Sequence, residues 1–155
     1  MTDFDFDKKT EELFDKLGES RIMVLATGDG QRISARSMSV VIYERKLYFQ
    51  TDKTYLKYSQ MMKNNNVALC VDNISFEGKC REIGSPLDNK DFCRLYKKYF
   101  EGSFNAYTHL DNEVLFEVTP TLIKLWTYKD SLPYIETFDF SHRKYAKIQQ
   151  TVCSL

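Results

Sequence analysis

The chain has 155 residues, 43% of them apolar and 14% aromatic, enough to bury one sizeable core in a single domain spanning 1–155. Lys and Arg (22) balance Asp and Glu (22), so the net charge is zero; that excludes the basic excess a general nucleic-acid or membrane-surface binder needs. No apolar run approaches a membrane span and the N-terminal stretch MTDFDFDKKTEELF is acidic, so the cytoplasm is the expected location.

The first predicted element is a helix over Lys8–Leu17. Leu13, Phe14 and Leu17 share one face, and Gly18 is placed to stop it. A hairpin follows: a strand from Arg21 to Thr27, a turn at Gly28-Asp29-Gly30, and a long return strand from Arg32 to Tyr43. Glu44-Arg45 turns the chain into a strand over Lys46–Thr51. A helix over Tyr55–Lys63 comes next, ended by Asn64-Asn65-Asn66, because Asn tolerates left-handed backbone.

Two further strands are predicted over Val67–Asp72 and Ser75–Ile83, with Gly78 and Gly84 marking bulges or close approaches. Asp88 and Asp91 open a second inserted helix, which ends near Phe100 and carries Phe92, Leu95, Tyr96 and Tyr99 as its apolar stripe. Glu101–Asn112 reads as a loop. Val114–Val118 and Leu122–Tyr128 read as two strands bent apart at Pro120, Pro133–Phe138 as a short strand, and His142–Gln150 as a short basic helix. The sum is a mostly β fold of six or seven antiparallel strands, with helices at the N-terminus and between strands. A meander of that count closes into a barrel to avoid exposed edges.

The most informative stretch is YFQTDKTYLKYSQMMKNNNVALCV, from Tyr48 to Val71. Thr51, Lys53, Thr54 and Lys57 crowd the turn and the first turn of the helix. Unpaired N–H groups and the positive dipole end lie there, and lysines and hydroxyls beside them make a phosphate seat. The same residues also read as an N-cap at Thr54 with solvated lysines.

Arg36 is the second anomaly. Strand periodicity puts Ser34, Arg36, Met38, Val40 and Ile42 on one face, so an arginine shares the face of three apolar residues. Either it snorkels from a barrel end or it points at an anion. Its strand is paired to the one leading into the phosphate seat, so the two can converge.

Other candidates carry less. Trp126, the only tryptophan, reads as core, as do Met61 and Met62. Four widely spaced cysteines (Cys70, Cys80, Cys93, Cys153) form no CxxC, and there are only two histidines, His109 and His142. Reduced thiols and no metal site are expected. Ser34, Ser37 and Ser39 lack the histidine and carboxylate of a hydrolase triad.

Four blocks, in order and with sensible spacing between Ser20 and Tyr128, resemble the pyridoxamine 5′-phosphate oxidase-like, flavin-binding split β-barrels. They are LATGDGQRISARSMSV, LYFQTDKTYLK, NNNVALCV and VTPTLIKLW. The resemblance implies an antiparallel split β-barrel that binds FMN as a homodimer, with the flavins in clefts between subunits. It implies that Arg36, Thr51 and Lys57 contact the flavin phosphate and that Trp126 lies near the flavin. The cofactor-binding set so named is Arg36, Ser37, Met38, Thr51, Lys53, Thr54, Lys57 and Trp126.

Three departures separate the chain from the oxidases proper. Their lysine five residues after the strand arginine is Val41 here. Their Arg-Leu-His-Asp-Arg block after the tryptophan is replaced by TYKDSLPYIE. Their serine two residues before the phosphate lysine is Tyr55, with Thr54 one step earlier as a substitute. The expectation is an FMN-binding oxidoreductase acting on an unidentified small molecule other than pyridoxamine phosphate. Its catalytic residues are not identified. The alternatives are a non-catalytic flavin store or redox sensor, or a haem or deazaflavin binder on the same fold.

Overall fold

A computed structural model describes residues 3–151; Cys153 lies outside them. Helix α1 (Asp3–Leu17) buries Phe6, Thr10, Leu13 and Leu17, a three-four spacing that makes one face. Gly18 ends it at φ +79°, the left-handed stop expected of a glycine in that place.

Strands β1 (Ser20–Gly28), β2 (Ile33–Tyr43) and β3 (Lys46–Asp52) form a meander. Glu44 and Arg45 both take positive φ in the second turn, as a two-residue hairpin demands. Helix α2 (Leu56–Lys63) is followed by β4 (Asn66–Val71) and β5 (Ile74–Glu82). Then come a 3-10 turn over Pro86–Asp88, helices α3 (Lys90–Tyr99) and α4 (Glu101–Tyr107), and strands β6 (Glu113–Lys129), β7 (Leu132–Asp139) and β8 (Lys144–Gln149).

The strands run in the order β3-β2-β1-β4-β5-β6-β7-β8, all antiparallel, and β3 also pairs with β6. That pairing closes six strands into a barrel and leaves β7 and β8 as an extension on which α1 packs. The barrel interior is filled by Leu25, Val40, Leu47, Phe49, Leu69, Phe76, Phe116 and Val118. A second cluster lies outside the wall, where Phe92, Leu95 and Tyr96 of α3 cover Val41, Tyr48 and Leu115.

Several elements differ from the sequence expectation. The two strands bent at Pro120 are one strand of 17 residues. β6 pairs with β3 up to Val118 and with β7 from Leu122, so Pro120 falls where one edge changes partner and no N–H is needed. On the other edge a bulge between Glu77 and Gly78 absorbs the same irregularity.

The expected loop after Phe100 contains α4, whose Phe104 packs against the α3 cluster. The expected basic helix at His142–Gln150 is strand β8. Asp139 accepts from the His142 N–H at 3.1 Å and Arg143 takes φ 51°, turning the chain back along the open edge of β7. Six residue pairs with β7 outweigh a short helix with a costly nucleus.

Helix α3 is capped by Asn89 rather than opened by Asp88. None of Asn64–Asn66 is left-handed; Asn64 is extended at φ −142°. Met61 is core as expected, but Met62 is 57% exposed.

Candidate functional site

β2 places Ser34, Arg36, Met38, Val40 and Ile42 on the inward face, with burial deepening along the strand. Arg36 thus enters the barrel near its mouth, half-buried, and burial pushes its pKa down from the usual guanidinium value. Its Nη1 donates to Thr27 Oγ1 at 2.8 Å and to the Leu25 carbonyl at 3.3 Å, and its Nη2 donates to Ser34 Oγ. Both hydroxyls donate in turn to one acceptor, Gln60 Oε1, at 2.6 and 2.7 Å. Gln60 sits on α2, is fully buried, and donates from Nε2 to the Arg32 carbonyl at 3.0 Å. One amide therefore orients two hydroxyls as acceptors for the guanidinium and ties α2 to the β1–β2 hairpin.

Lys57, one turn before Gln60, lies on the same side of α2. Its ammonium sits 4.9 Å from the centre of the Tyr55 ring. Burial, and then the Arg36 charge, push its pKa down; Glu113 and Asp52 oppose this. The two cations are near enough to repel, yet among the described residues neither forms an ion pair with a carboxylate. Two converging cations without a paired counter-ion form a place where an anion is stabilised.

Thr51 is buried at the end of β3, beside this cluster. It lines a cavity of about 130 Å³ with Gln50, Asp52, Tyr55, Lys57, Tyr96, Tyr107 and Glu113.

The other expected residues lie elsewhere. Lys53 and Thr54 are exposed on the turn. Asp52 Oδ1 accepts from both the N–H and the hydroxyl of Thr54 at 2.7 Å, which holds the Asp52 carboxylate below its usual range. The N-cap of α2 is Tyr55, with no side-chain cap, so Thr54 is not the cap. Met38 is core, and Ser37 points to the outer face. Trp126 is 42% exposed on the outer face of β6 rather than in the core. It thus stands on the opposite side of the sheet from Arg36.

An open groove of about 550 Å³ runs beside the cluster. Ala26, Gly28, Ile33, Ala68 and Gly78 give it a shallow apolar wall, and it shares Thr27 with the Arg36 network.

Thr27, Gln60 and Glu113 were not singled out from the sequence. Gln60 alone had a signal, as a polar residue one helical turn from Lys57. Thr27 and Glu113 are brought in by strand pairing.

A family model described as pyridoxamine 5′-phosphate oxidase matches residues 9–127. The chain belongs to this family, and its barrel matches the family's split β-barrel fold. Among solved structures it is similar to General Stress Protein 26 from Bacillus anthracis, at 21% identity and TM-score 0.57, over 75% of this chain and 90% of that one. It is also similar to a pyridoxamine 5′-phosphate oxidase-related, FMN-binding protein from Nostoc punctiforme, at 13% identity and TM-score 0.60, over 85% and 88%. An F420 reductase matches at 17% identity and TM-score 0.55, over 71% and 94%. No curated protein matches the chain. At these identities the likenesses show the fold.

Proposed function

We propose that the chain binds FMN and acts as a flavin-dependent oxidoreductase on a small molecule that is not pyridoxamine phosphate. The observation that carries this is the convergence of Arg36 and Lys57, neither paired to a carboxylate, beside the shallow apolar groove. The donor set fits a phosphate: a guanidinium, an ammonium and the start of α2. The groove wall of alanines and glycines suits a flat ring. Bound there, the flavin would supply the electron transfer, and the chain would supply binding, orientation and exclusion of water.

The reading includes a homodimer with flavin at the interface. In that reading Trp126, exposed on the outer face of β6, is open to a flavin held at the interface.

The test is a titration of FMN and riboflavin into wild type, Arg36→Ala and Lys57→Ala. Each substitution removes a charge-assisted bond worth about 1.5–3 kcal/mol, about tenfold or more in FMN affinity. Riboflavin, without a phosphate, is expected to bind all three proteins alike. Equal FMN affinity across the three would remove the phosphate assignment. The deazaflavin alternative is supported by the F420 reductase neighbour alone; the visible absorption of the purified protein separates the two.

A further inference from the structure

Glu113 is an odd companion for a phosphate seat. It opens β6, is only 7% exposed, and lines the same cavity as Lys57 and Thr51. Its carboxyl accepts no hydrogen bond and forms no ion pair among the described residues; Lys57 is close enough to feel its charge but not to bond it. The groups around it come from every element that packs there. Asp52 of β3 repels it and Lys57 of α2 attracts it, while the Arg36 charge of β2 acts on Lys57. Tyr55, Tyr96 of α3 and Tyr107 of α4 complete the wall.

A charged carboxylate there offsets part of the Lys57 charge while the seat is empty. Once a phosphate arrives, the same carboxylate faces a second negative group across a small cavity. Two such anions at close range do not both remain charged. We propose that Glu113 makes anion binding proton-coupled: the seat takes a phosphate monoester together with one proton, which passes from solvent to the Glu113 carboxylate. This rests on the FMN reading above and adds to it the identity of the group that titrates.

Burial, with help from Asp52, already raises the Glu113 pKa to about 7. Phosphate makes protonation easier still. Above that pH, where the empty seat holds a charged Glu113, each bound phosphate must bring a proton. FMN affinity then falls as pH rises, by up to about tenfold per unit. The second ionisation of the phosphate itself, near pH 6, works in the opposite direction, because the dianion binds cations better. The two sources therefore have opposite signs.

The experiment measures FMN and riboflavin affinity from pH 6 to 9 for wild type and Glu113→Gln. In parallel, calorimetry in two buffers of different ionisation heat counts the protons taken up. Wild type is expected to bind FMN more weakly as pH rises, with uptake approaching one proton per FMN near pH 8. Glu113→Gln is expected to lose both the decline and the uptake, and to bind FMN at least tenfold more tightly than wild type at pH 8. Riboflavin should be indifferent to pH in both. Uptake by wild type is readable even if the variant fails to fold. A wild type that binds FMN without proton uptake, or a variant with the same decline, overturns the inference and leaves the FMN reading standing. Absence of FMN binding at every pH overturns both.

Discussion

At the residue scale, one position separates this chain from the family's oxidases more sharply than the site does. Val41 stands where they carry a lysine, and it is fully buried beneath Phe92 and Leu95 of α3. No cation can be offered to a substrate from that position, and the stretch after Trp126 is a hairpin turn at Asp130-Ser131 without arginine or histidine. A substrate phosphate would lose hydration there without recovering it. The expected outcome is no meaningful hydrogen peroxide release from pyridoxine 5′-phosphate under air, with FMN bound and reducible. Robust turnover would mean that other cations serve. The anomaly of Arg36 among Met38, Val40 and Ile42 was legible from strand periodicity alone. Its partner Thr27, and the Gln60 amide that orients Thr27, were not, because strand pairing and helix docking bring them in.

At the element scale, β6 holds the molecule together. It closes the barrel through β3, runs beside β5, and founds the extension through β7. Gly78 makes this possible: a Cβ there would meet the Thr119 carbonyl oxygen at 2.7 Å and Val118 Cγ1 at 2.9 Å. Gly78→Ala forces the β5–β6 bulge apart and is expected to cost about 1–3 kcal/mol, read as a lower midpoint in denaturant unfolding. At Gly84, where φ is +98° but nothing stands nearby, the same change strains the backbone rather than the packing. An unchanged midpoint for Gly78→Ala would show that the bulge relaxes freely. The sequence marked Gly78 as a crowding point but split β6 at Pro120. A proline argues against a central strand unless the partner exchange is known, and only the assembled sheet supplies that.

At the scale of the whole molecule, α3 and α4 cover one flank of the barrel, while the outer faces of β1, β2 and β6–β8 carry exposed apolar side chains. Ile22 is 59% exposed, Ile33 83%, Trp126 42% and Ile148 59%. Together with zero net charge, which sets up no repulsion between copies, these exposed apolar side chains suit contact with a second copy of the chain. Sedimentation at micromolar concentration is expected to give about twice the 18.3 kDa chain mass. Ile22→Lys is expected to shift the protein toward monomer and to weaken FMN binding with it. A monomer that holds FMN undiminished would move the flavin away from the interface. Among the described residues no helix is long and apolar enough to cross a membrane.

The sequence by itself determined the elements whose periodicity is unambiguous: the N-terminal helix with its Gly18 stop, the β1–β2–β3 meander, α2, β4 and β5. It also determined the barrel class and singled out Arg36 and Lys57, which lie close enough in the fold to repel. These are local properties, set by side-chain spacing and turn chemistry. Only the tertiary structure decided that His142–Gln150 is a strand, that Glu101–Tyr107 is a helix, and that Glu113 stands beside Lys57. For β8 and α4 the deciding partner is the element just before, the open edge of β7 and the aromatic cluster on α3; for Glu113 it is distant in sequence, Asp52 across the barrel seam. A short segment with weak intrinsic preference takes the conformation that buries its side chains and pairs its backbone, and those partners exist only once the neighbouring elements have assembled.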